Sequence, residues 1–140
     1  MITTAIDSDI LIDVLFEDSA FAQVSAAALT RASAAGTVVI SAVVMAEIAG
    51  YFPHAEAAHK FFRHIDLTIT AFDAQGAIAA GQLWRQRTHK DRIRILPDYI
   101  VASHAVVYAD RLLTRDAGFT RMKVPGLVVV TPADVLGGDS

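Results

Sequence analysis

Four acidic side chains stand out because each follows or interrupts an apolar stretch. Asp7 comes after Ile2–Ile6, Glu47 lies within Ala42–Ala49, Asp98 directly follows Pro97, and Asp116 closes the segment that begins at Arg111. Carboxylates that converge repel one another, and the usual relief is a raised pKa or a bound divalent cation. Oxygen-only donors of this kind suit Mg²⁺ or Mn²⁺. The chain has no cysteine, which excludes a thiolate metal site. Metal ions held by carboxylates can activate water for in-line attack on a phosphodiester and neutralise the charge that builds on the phosphate.

The elements that must position these residues alternate along the chain. Ile2–Ile6 reads as a first strand, with Ser8 placed to cap the following helix and Asp9 favouring its positive end. Ile10, Leu11, Val14 and Leu15 recur at helical spacing. Ser19 is expected to cap a helix over Ala20–Ala35, ended by Gly36 in a left-handed turn. Val38–Ile40 is a second strand, and Ser41 caps a helix from Ala42 to about Ala49. Ala55–His64 reads as a helix, Leu67–Thr70 as a third strand, and Asp73 as the cap of a helix reaching Arg87. A charged loop then leads to Pro97, which fits the first turn of a helix. Arg111–Thr114 and Leu127–Val130 complete the strands, and a short tail follows. This alternation implies an α/β fold, a three-layer α/β/α arrangement with a mostly parallel, about five-stranded sheet. With 140 residues and neither repeat nor linker, the expectation is a single domain over 1–140.

In a parallel sheet, groups just past the strands share one edge, so Asp7 and Asp116 belong together. A helix from Asp98 to Ala109 rises ~18 Å and the returning strand climbs ~13 Å, which brings Asp98 level with Asp116. Glu47 sits ~8 Å below the start of its helix. It either reaches back to the same edge or occupies the exposed stripe of a short amphipathic helix. Burying it among Val43, Val44 and Ile48 would be costly without a partner.

Composition narrows the class. A hydrophobic fraction of 54% with 19% charged residues describes a globular protein. The net charge of −3 argues against a uniformly basic nucleic-acid surface, yet most of the positive charge lies between Arg85 and Lys123. No apolar run approaches the ~20 residues of a membrane span, and no basic segment precedes an apolar one at the amino terminus, so a cytoplasmic protein is expected. His104, six residues past Asp98, reads as packing or surface rather than a general base.

Taken in order, Asp7-Ser8-Asp9-Ile10-Leu11-Ile12, Ser41-x-x-x-x-Ala46-Glu47, Leu96-Pro97-Asp98-x-x-Val101-Ala102 and Leu112-Leu113-Thr114-Arg115-Asp116 resemble the motifs of a PIN domain. The resemblance covers essentially the whole chain, and its size and layout are similar to the VapC toxins of bacterial toxin–antitoxin pairs. It implies a divalent-metal-dependent endoribonuclease using Mg²⁺ or Mn²⁺. Asp7, Glu47, Asp98 and Asp116 correspond to the family's acidic, metal-holding constellation, and Thr114 to its accompanying hydroxyl residue. It further implies an RNA substrate, a VapB-like antitoxin that covers the acidic site, and a homodimer. Arg85, Arg87, Lys90, Arg92 and Arg115 are the candidates for gripping the RNA backbone. Ser8 either orients a metal-bound water or caps its helix. Asp9 stands where Asn or Ser is frequent in the family, and either adds a ligand or favours the helix terminus. Two rival readings accompany this one. Asp7-x-Asp9 after a strand also resembles the first motif of haloacid-dehalogenase-like phosphatases, although no later lysine motif supports it. A PIN-like fold can also serve as a non-catalytic binding scaffold.

Overall fold

The computed structural model describes residues 1–17, 19–70, 73–87 and 94–137. Five strands form one sheet: β1 (Thr4–Ile6), β2 (Val38–Ser41), β3 (Thr68–Thr70), β4 (Arg111–Leu113) and β5 (Val129–Val130). The helices between and after them, among the described residues, are α1 (Ser8–Leu15), α2 (Ala22–Ala35), α3 (Ala42–Ala49), α4 (Ala55–His64), α5 (Ala74–Gln86), α6 (Leu96–Tyr108), α7 (Gly118–Arg121) and α8 (Pro132–Gly137). Every strand pair is parallel, in the order β3-β2-β1-β4-β5. The chain therefore builds outward from β1 to β3 on one side, then returns to add β4 and β5 on the other. The crevice between β1 and β4 is the point where that order reverses, the place where open α/β sheets bind ligands.

All residues of β1 and β2 are buried, although successive side chains point to opposite faces, so both faces of the sheet are covered. Ile10 and Leu11 of α1, Ala28 and Ala32 of α2, Val44 and Ile48 of α3, and Val101, Ala102 and Ala105 of α6 join the strand residues in one core. Small residues on α2 let it pack closely against α1 and α8. No helix among the described residues is long and apolar enough to cross a membrane.

Local chemistry sets most element boundaries. Ser41 Oγ accepts from Val44 N at 3.2 Å and Asp73 Oδ1 from Gly76 N at 2.9 Å, so both cap their helices as expected. The cap of α1 is Asp7 itself, whose carboxylate accepts from Ser8 N at 2.8 Å, and Ser8 is the first helical residue. α2 starts at Ala22, after Ser19 Oγ has accepted from Phe21 N. α6 starts at Leu96, one residue before Pro97. Two short helices were not expected from sequence: α7, between β4 and β5, and α8, in the short tail. His104 is packing, not surface: it is buried on α6 and hydrogen-bonds to Thr70 of β3, and burial pushes its pKa down to about 4.

Gly36 departs from the expected left-handed turn. Its φ of 163° is extended, and its role is steric, since a Cβ there would stand 2.1 Å from the carbonyl oxygen of Ile2. The chain entering β1 lies directly against this position, with Ile2 N donating to Ala35 O at 3.0 Å. Gly36→Ala is expected to displace that crossing and cost about 2 kcal/mol in stability, measured by denaturant unfolding.

Candidate active site at the carboxyl edge of the sheet

The central feature is the junction of β1 and β4. Asp7 N donates to Leu113 O at 3.0 Å, so the first residue past β1 stays in register with the end of β4. Thr114, buried, then donates its hydroxyl to Asp7 Oδ2 at 2.7 Å and lies 3.2 Å from Asp9 Oδ2. The same hydroxyl oxygen accepts from Asp116 N at 3.0 Å. One threonine thus joins three acidic residues.

Asp7 is almost fully buried, and its pKa is raised to about 6, first by desolvation and then by the neighbouring charge of Asp9. Asp9 is also raised by burial, although Arg115 N donates to it at 3.0 Å, and its second oxygen, Oδ1, is buried without a hydrogen-bond partner. Glu47 lies on the exposed side of α3, where the Ser8 hydroxyl hydrogen-bonds to it, and its pKa is raised by desolvation and then by Asp7 and Asp98. Both readings open from sequence are met in part: Glu47 is exposed on its short helix, and Ser8, Asp7 and Asp98 are its neighbours.

Asp98 and Asp116 have a different environment. Arg94 donates to both oxygens of Asp116 at 2.6 and 2.7 Å, and its Nη1 lies 3.7 Å from Asp98 Oδ2. The guanidinium holds the Asp116 carboxyl below the usual range, helped by Gly118 N, which donates to Oδ1 at 2.8 Å. Asp98, third residue of α6, also accepts from Ile95 N at 3.3 Å. The edge is therefore divided between Asp7, Asp9 and Glu47, whose charge is disfavoured, and Asp98 and Asp116, which face a resident cation.

The donor set is entirely oxygen, which fits a hard divalent cation, and the partnerless Asp9 Oδ1 and the raised Asp7 are what such an ion would relieve. Asp7, Glu47, Asp98 and Asp116 are the residues that would hold it. Among the described residues, no three acidic or histidine side chains are already arranged around a single point as ligands. Arg94 stands between two of them.

The cationic candidates are placed variously. Arg115 Nε and Nη2 donate to Asp13 at 2.7 and 2.9 Å, and its guanidinium lies 4.0 Å from the Phe21 ring, so its charge is engaged within the fold while its backbone N–H serves Asp9. Arg85 is exposed at the end of α5, and Arg87 stacks 4.1 Å from the Trp84 ring centroid. Lys90 and Arg92 lie outside the described residues.

Three residues that shape this edge escaped the sequence reading. Asp13 is buried on α1 and accepts from Ser25 Oγ at 2.6 Å as well as from Arg115. Its only signal was an acidic residue one turn past Asp9 on an otherwise apolar helix. Arg94 was four residues before Asp98, a spacing that brings side chains together once a helix runs through it. Gly118 carried no signal at all.

A family model described as PIN domain matches residues 4–125. Solved structures with the same fold include VapBC2 from Rickettsia felis bound to a DNA fragment from its promoter, at TM-score 0.73 and 21% identity, covering 92% of this chain and 98% of that one. A toxin–antitoxin complex from Klebsiella pneumoniae matches at TM-score 0.61 and 24% identity, covering 92% and 97%. VapC20 from Mycobacterium tuberculosis, a sarcin-ricin loop cleaving toxin, matches at TM-score 0.63 and 13% identity, covering 89% and 98%. No curated protein matches significantly.

Two measurements probe this geometry. Because Asp7 titrates near 6 in the fold and near 3.8 when unfolded, its burial penalty is absent below pH 3.8, grows as pH rises and is complete above 6. Asp7→Asn is therefore expected to stabilise the metal-free protein at pH 8 by up to about 3 kcal/mol, with the gain fading toward pH 4 in urea titrations. Arg115→Met should cost roughly 2 kcal/mol by stranding the buried Asp13 carboxylate, and pairing it with Asp13→Asn should recover most of the loss.

Proposed function

The chain belongs to the PIN domain family, and from that premise we propose that it is a divalent-metal-dependent endoribonuclease, a VapC-type toxin acting on RNA in the cytoplasm. The observation that carries this reading is the acidic edge at the β1–β4 crevice, where Asp7, Asp9 and Glu47 are all pushed toward their neutral forms. Crowded oxygen donors in that state have a high demand for positive charge.

Asp7, Glu47, Asp98 and Asp116 would hold Mg²⁺ or Mn²⁺, with Asp9 and Thr114 in support. When bound, such an ion supplies an activated water and neutralises charge on the phosphodiester. Thr114 fixes the Asp7 carboxylate by donating to Oδ2, while Ser8 N holds Oδ1, so that carboxylate presents a defined face. Ser8 also orients Glu47 from the first turn of α1. The basic side chains Arg85, Arg87, Lys90 and Arg92 are proposed to engage the RNA backbone in a salt-dependent manner. Arg115 would join them only by exchanging its Asp13 partner.

The relatives suggest substrate and partners. VapC20 cleaves the sarcin-ricin loop and the Klebsiella relative is a toxin–antitoxin complex, so a looped RNA, a VapB-like antitoxin covering the acidic edge and a homodimer are proposed here. Family membership leaves the phosphatase reading of Asp7 and Asp9 without support.

Cleavage of a pool of structured RNAs tests the reading. The purified protein should cut with Mg²⁺ or Mn²⁺ and not with chelator, and Asp98→Asn should lower the rate by about a hundredfold or more. Cutting that survives chelator or the substitution would refute it, and a folded protein that neither cuts nor binds Mn²⁺ would be a scaffold.

A further inference from the structure

Among the described residues, Arg94 is the cation whose guanidinium is bound most completely to Asp98 and Asp116. Its planar fork meets both oxygens of Asp116, and the same Nη1 that donates at 2.6 Å also lies 3.7 Å from Asp98. The side chain is only 13% exposed, against 39% for Asp116 and 28% for Asp98, so the charge is seated inside the rim formed by the carboxylates. Phe119 packs beneath it, with the ring centroid 5.4 Å from the guanidinium carbon. The seat exists because residue 118 has no side chain: a Cβ on Gly118 would fall 1.1 Å from Arg94 Nη2 and 2.2 Å from Cζ. Backbone, aromatic ring and two carboxylates together form a socket shaped to a guanidinium.

We infer that Arg94 is a resident counter-cation of the acidic edge, occupying the space between Asp98 and Asp116 and competing with divalent metal for those two carboxylates. This rests on the metal-dependent reading given above. A bidentate, charge-assisted pair of this kind fixes the orientation of Asp116 as well as its charge. Metal that engages both Asp98 and Asp116 must displace the fork or share its oxygens with it. The docked arginine therefore sets a threshold of metal concentration below which Asp98 and Asp116 stay paired with Arg94. Lysine cannot reproduce the contact, because it offers a single ammonium in place of two parallel N–H groups.

Calorimetric titration of the full chain with Mn²⁺ tests this without any assay of cleavage. Arg94→Met should bind Mn²⁺ about tenfold or more tightly than the unsubstituted protein, Arg94→Lys should fall between them, and Gly118→Ala, which fills the seat while keeping the arginine, should also bind more tightly. Unfolding curves recorded on the same samples establish that each variant is folded. Equal or weaker Mn²⁺ binding in folded Arg94→Met would overturn the proposal and leave the metal site standing. No Mn²⁺ binding in the unsubstituted protein or in any variant would overturn both the proposal and the metal-dependent reading.

Discussion

Repulsion among carboxylates gathered at one sheet edge is the constraint to which the surrounding structure responds. Asp7 and Asp9 are drawn into the β1–β4 crevice by the backbone that carries them, and burial makes their charge expensive. The fold offsets part of that cost with dipoles: the Thr114 hydroxyl, the Ser8 N–H and the Arg115 N–H. Among the described residues, it places no bidentate cation on them. The guanidinium of Arg115, within reach of this region, is turned to Asp13 instead, and the edge around Asp7 keeps an unmet demand for positive charge.

On the opposite side, Asp116 has Arg94, and its carboxyl lies below the ordinary range for that reason. The same type of residue thus exists in two electrostatic states within one crevice. The division arises from backbone placement. Asp7 directly follows β1, which is paired on both sides, and stays bonded to Leu113 of β4, whereas Asp116 lies beyond β4, where the chain turns toward α7 and leaves room for a side chain to approach.

The scaffold supplies rigidity where these groups meet. β1 is the middle strand of the sheet, buried on both faces and paired with β2 and β4. Asp7 closes that strand and caps α1, so its carboxylate is oriented by two elements at once. The acidic edge thus depends on strand pairing and caps rather than on the outer helical surface.

Much of this was legible in the sequence. Apolar segments ending in Asp7 and Asp116 fixed which sheet edge they occupy, since parallel strands present their carboxyl ends together. Ser41 and Asp73 announced their helices through cap chemistry that depends only on neighbouring residues. What local chemistry could not decide were the pairings between distant parts of the chain: Arg94 with Asp116, 22 positions apart, and Arg115 with Asp13, 102 apart. Any arginine can meet any aspartate, and only the packing of helices and strands selects the pair. Gly36 and Gly118 belong to the same class, because the space each leaves open is filled by another segment. Sequence by itself determined which residues carry charge and which strand ends present them; tertiary structure decided which charges meet a cation and which meet only dipoles, since that depends on distances no local pattern encodes.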